Sequence, residues 1–97
     1  MKVVWSPLAR RRALAIVEQI RWDKPMAASR WLERLLAEVE TLPEMPRRCR
    51  VVPELEREDV RELLFGNYRV IYRIEEGALV ILTVRHGRRL IDLDELR

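Results

Sequence analysis

Apolar residues recur at three- and four-residue spacing as far as Leu42, and at two-residue spacing from about Arg48 onward. Helices therefore precede most of the strands in this chain. Grouped helices followed by grouped strands bury their apolar faces most simply when the helices lie on one face of an antiparallel sheet. With 97 residues there is material for one modest core, so residues 1–97 are expected to form one α+β domain.

Lys2 to Trp5 reads as a short strand closed by Ser6-Pro7, a capping hydroxyl followed by a proline suited to a first helical turn. From there to about Trp22, Ala9, Ala13, Ile16, Val17 and Ile20 make the packed side of a helix. Arg10, Arg11 and Arg12 fall mainly toward water. Asp23 before Lys24-Pro25 reads as a break and a new N-cap. Ala28, Trp31, Leu32, Leu35, Leu36, Val39 and Leu42 then form a stronger stripe, stopped by Pro43 and Pro46. So short a connection predicts an antiparallel helical hairpin.

Arg48 to Val52 predicts an edge strand ended by Pro53. Glu54 to Asp59 is a charged loop, and Asp59 to Leu64 a further strand before a turn at Phe65-Gly66-Asn67. Tyr68 to Glu75 alternates, with Tyr68, Val70, Tyr72 and Ile74 on one face and Arg69, Ile71, Arg73 and Glu75 on the other. After a two-residue turn at Glu76-Gly77, Ala78 to Val84 is apolar throughout, the mark of a central strand covered on both faces. The predicted architecture is an N-terminal strand and an α-helical hairpin packed on one face of a three- to four-stranded antiparallel sheet.

After Val84 the chemistry changes at once to Arg85, His86, Arg88 and Arg89, with Gly87 giving freedom at the strand end. Neighbouring cations repel unless an anion or acidic partner is present, so this edge is a candidate site for an anionic partner. The net charge is only +3, but Lys2 and Lys24 are the only lysines. Arginine's planar fork suits carboxylates and phosphates, although a GC-rich genome gives the same bias. A lone Cys49 excludes an intrachain disulfide and lacks companions for a metal site, so no cofactor or metal is expected. No apolar run reaches signal-peptide or membrane-spanning length, which predicts no membrane partner and a reduced cytoplasmic setting.

The opening VVWSPLARRRA, the helical hairpin, VRELLFGNYRVIYRI and ILTVRHGRR resemble the RelE/ParE superfamily, and the similarity covers essentially the whole chain. The resemblance implies the toxin half of a bacterial type II toxin-antitoxin pair. It implies a cognate antitoxin whose disordered segment folds on binding into an amphipathic helix across the hairpin. Candidate antitoxin contacts are Arg10, Arg11, Trp31 and Leu35. RelE-like members are ribosome-dependent endoribonucleases acting on mRNA, whereas ParE-like members poison DNA gyrase, and the shared fold does not choose between them.

Under the RelE-like reading Arg69, His86, Arg88 and Arg89 would be catalytic, with Arg69 at the phosphate and His86 as base or acid. Val60 and Glu62 stand where RelE-like lysines would be, and no Tyr, Phe or Trp follows Tyr72. A carboxylate there repels RNA phosphate. The residues therefore look closer to the ParE branch, in which none of them is catalytic and Arg69, Arg73, Arg85, His86, Arg88 and Arg89 are candidate gyrase contacts. Simpler roles stand beside these. Arg69 and Arg73 can pair with Glu62 or Glu75 across the sheet, His86 can bond to backbone or a carboxylate, and Arg10 to Arg12 can be a solvated face. A degenerate, non-toxic interaction module is a further reading.

Overall fold

A computed structural model describes residues 1–89 and 91–96. The chain runs β1 (Lys2–Trp5), α1 (Pro7–Asp23), α2 (Pro25–Glu40), a 3₁₀ turn (Leu42–Glu44), β2 (Arg50–Val51), β3 (Val60–Phe65), β4 (Tyr68–Glu75), β5 (Ala78–His86) and a 3₁₀ turn (Leu93–Leu96). This is the expected α+β order, but the sheet has five strands, in the order β1-β5-β4-β3-β2. The N-terminal strand joins it parallel to β5, with Lys2 opposite Ala78 and Trp5 opposite Ile81. A parallel pair needs a long connection, and most of the chain lies between these two strands. The sheet is therefore mixed rather than wholly antiparallel.

Ser6 ties the first helix to the sheet. Its hydroxyl accepts the Ala9 amide at 3.0 Å and donates to the Leu82 carbonyl at 2.9 Å. Asp23 does not cap α2, because α1 continues through it. Lys24 alone forms the joint, its amide closing on the Ile20 carbonyl at 2.8 Å, and α2 has no side-chain cap. At this tip Trp22 and Met26 are 85% and 71% exposed.

The main core lies between hairpin and sheet, where Ala9, Ala13, Leu35, Val39 and Leu42 meet Phe65, Val70, Tyr72, Leu79 and Ile81. The small alanines let α1 approach the strands closely. A second cluster on the opposite face joins Val52, Val60, Ile71, Leu82 and Leu96. The tail thus covers β5 from behind. Gly66 and Gly77 supply the positive φ, 57° and 73°, that their two-residue turns demand. Among the described residues no helix is long and apolar enough to cross a membrane.

A β-bulge at Leu82 alters the second half of β5. Ile71 faces Thr83 while its neighbour Tyr72 faces Ile81, leaving Leu82 as the extra residue. The inward phase moves by one position, so Ile81 and Val84 both belong to the hairpin-side core. His86 then falls on the hairpin side as well, directly opposite Tyr68.

The Ser6 hydroxyl serves both a helix cap and the bulge carbonyl. Ser6→Ala is expected to lower stability by about 1–2 kcal/mol in urea unfolding. An unchanged midpoint would show that neither bond matters.

Candidate functional site

The described arginines divide into those already held by carboxylates and those left for a partner. Arg69 belongs to the first group. It is 7% exposed, and Glu62 beside it on β3 is 1% exposed. The Arg69 guanidinium grips Glu54 at 2.7 and 2.8 Å and also bonds Glu62 through Nε and Nη2. Glu62 is shared with Arg50 of β2, whose Nε donates at 2.8 Å. Placed at a phosphate in the sequence reading, Arg69 is instead neutralised inside the sheet's back face. Its hydrogen bonds to Glu54, followed by contacts with Glu62, push its ionisation further up. Arg73, on the same face, bonds Glu75 at 2.9 and 2.7 Å.

His86 lies on the other face. Its ring meets Tyr68 edge-on, with centroids 5.6 Å apart, and its Nδ1 accepts the Arg88 amide at 3.2 Å. That bond leaves Nε2 as the ring's donor. Because Tyr68 and Arg69 are adjacent on one strand, they point to opposite faces, and His86 follows Tyr68. The fold therefore does not bring Arg69 and His86 into one site.

The strand end gathers a different set. Arg85 and Arg12 both bind Glu95, Arg12 at 2.9 Å. Burial first, then the nearby Arg12 and Arg89, lower the Arg85 pKa. Arg88 and Arg89 are exposed and make no ion pair among the described residues. Gly87 contributes space rather than unusual backbone angles. Its amide bonds the Asn67 carbonyl at 2.7 Å, and a Cβ there would sit 3.3 Å from that oxygen. Arg12 was grouped with the solvated face, yet it lies three residues after Ala9 and four before Ile16, on the flank of the buried stripe. That spacing was the available signal. Nothing in the sequence marked Glu95 as its partner.

The hairpin surface also differs from expectation. Leu35 is fully buried, so it cannot touch an antitoxin. Its neighbours Leu32 and Leu36, with Leu14, Ala13, Trp5 and Arg10, line an apolar groove of about 210 Å³. Trp31 is half-buried against Phe65 and Tyr68, centroids 5.8 and 5.4 Å away. It borders a separate groove of about 660 Å³ on the other side of α2. Arg10 and Arg11 are exposed. Among the described residues no three His, Cys, Asp or Glu side chains converge as metal ligands.

A helical hairpin on a mixed sheet whose last long strand ends in arginines defines a RelE/ParE-type toxin domain. The fold overlays a chain of the chromosomal ParDE TA system from P. aeruginosa with a TM-score of 0.75 at 19% identity, covering 89% of this chain and 95% of that one. It also overlays a chain of the RelBE2 toxin-antitoxin complex from Mycobacterium tuberculosis, with a TM-score of 0.54 at 22% identity over 88% and 95% of the two chains. Residues 3–91 match the family described as the ParE toxin of the type II toxin-antitoxin system parDE, and the chain belongs to that family. Toxin RelE2 of Caulobacter vibrioides is 33% identical over 89 residues, 92% of this chain and 98% of that protein.

The Arg69 network has a pH signature. The hydrogen bonds from Arg69 hold the Glu54 carboxyl at about 2, below its ordinary 4.5. A pKa depressed on folding stabilises above the unfolded value and ceases to do so as pH falls through the folded one. Stability is therefore expected to decline between about pH 4.5 and 2. Glu54→Gln should flatten that part of a urea-midpoint profile, and an identical profile in the variant would remove Glu54 as the cause.

Proposed function

We propose that this toxin is a ParE-like inhibitor of DNA gyrase and not an mRNA interferase. The observation that carries the reading is the separation of Arg69 and His86. Metal-free RNA cleavage needs a base and a phosphate-stabilising cation at one scissile group. Here the cation is neutralised by two carboxylates on one face while the imidazole lies on the other. What stays available is a binding surface, with the exposed Arg88 and Arg89 beside His86 at the sheet end. Such a surface inhibits by favouring one conformational state of its target, here gyrase holding cleaved DNA in the cytoplasm.

Purified toxin is expected to abolish supercoiling by gyrase and to accumulate cleaved DNA. The double change Arg88→Glu and Arg89→Glu should raise the concentration required at least ~10-fold, equivalent to ~1.4 kcal/mol of lost binding. Undisturbed supercoiling, with codon-positioned mRNA cuts in growth-arrested cells, would establish the interferase reading instead.

The same reading includes a cognate antitoxin. Leu14 and Leu36 are 54% and 42% exposed at the rim of the apolar groove across the hairpin. An amphipathic helix would cover them, with an acidic side chain meeting Arg10. Leu14→Glu is expected to weaken antitoxin binding at least ~10-fold in calorimetric titration while gyrase inhibition persists. Unaltered affinity would move the interface elsewhere.

A further inference from the structure

A cleft of about 260 Å³ opens between α1 and the end of β5. Helix α1 contributes Arg12, Ile16 and Gln19, the strand contributes Val84, Arg85 and His86, and Arg89 and Tyr68 complete the lining. Three arginines thus border one small space. Glu95 is the one carboxylate ion-paired to them among the described residues, and it is shared by Arg12 and Arg85. Asp92 adds only a Coulombic attraction to Arg85.

The donors are not all used. The Nε atoms of Arg12 and Arg85 are both buried with no hydrogen-bond partner among the described residues. An unmet buried donor is costly, and it is most costly on a charged group. Burial of Arg85 beside two other guanidiniums already works against its charge. An anion in the cleft would relieve the repulsion by adding the negative charge that a single shared Glu95 does not supply.

We infer that the α1–β5 cleft is a binding site for a phosphate group, held by Arg12, Arg85 and Arg89 with His86 beside them. A tetrahedral phosphate offers more acceptor oxygens than a carboxylate, which matches a donor set drawn from three forks and an imidazole. The cleft lies below the ~300–1,000 Å³ of sites that enclose a drug-sized ligand, so it suits a phosphate with at most its adjoining sugar. The aliphatic surfaces of Ile16 and Val84 give such a sugar an apolar bed. This site is independent of whether gyrase is the target, since it rests on the cleft alone.

The test follows the arginine Nε–Hε and His86 ring resonances of the purified toxin by NMR at constant ionic strength. The additions are inorganic phosphate, sodium acetate and a short DNA duplex. Saturable shifts at Arg12, Arg85 and His86 with phosphate, absent with acetate, are expected. Arg85→Gln removes a Glu95 partner and can disturb the fold, so Arg89→Gln is the decisive variant. It should weaken phosphate binding about tenfold, while Arg34→Gln, outside the cleft, leaves it unchanged. Tighter saturation by the duplex identifies a nucleic-acid backbone as the source, and saturation by phosphate alone identifies a free phosphate. Unsaturable shifts, an equal response to acetate, or full binding in Arg89→Gln would overturn the assignment.

Discussion

The buried carboxylate of Glu62 organises the back of this protein. It lies between Arg50 on β2 and Arg69 on β4, and Arg69 reaches on to Glu54 in the loop beyond β2. Four consecutive segments, β2, the loop after it, β3 and β4, thereby share one charge network. Such networks add little net stability over well-packed apolar residues, yet losing one partner typically costs about 3–5 kcal/mol because the other charge remains buried. The network therefore fixes geometry more than it adds energy. It holds the short edge strand in register and withdraws the arginine of the Tyr68-Arg69 pair from any ligand.

The front of the sheet owes its chemistry to a different device. Without the extra residue at Leu82, simple alternation from Ile81 would send Val84 and His86 to the back face, toward the Glu62 network. With it, Val84 enters the main core and His86 stacks on Tyr68. Thr83 turns to the tail side and donates to Glu95 at 3.3 Å. One inserted residue thus pairs Arg85 with Glu95 of the tail and sets His86 against Tyr68, while both still border the cleft beside α1. The Ser6 hydroxyl takes up a carbonyl of the irregular segment, so the device is bonded in place.

The element order, both turn glycines, the faces of β4 and the Arg69–Glu62 and Arg73–Glu75 pairings were legible in the sequence. Each depends on local phase or on neighbours in one hairpin. What escaped depended on distance along the chain. Periodicity says that Lys2 to Trp5 is a strand, but not that it will lie beside a strand more than seventy residues later. It marks Leu35 within an apolar stripe, yet six other members share that stripe and only packing decides which one faces outward. The bulge left no composition signal, and it reversed the face of the one histidine. Glu95 lies in a short acidic stretch, and nothing local to it announces its contact with Arg12, 83 residues away.

The exposed hairpin tip gives this small protein a built-in optical reporter. Of its three tryptophans, Trp5 and Trp31 are half-buried against the core while Trp22 projects into solvent. A soluble quencher will reach Trp22 first, and the blue-shifted emission that remains belongs to residues packed on the sheet. Red emission thus follows events at the tip, and blue emission follows the packing of hairpin against strands, with no label attached.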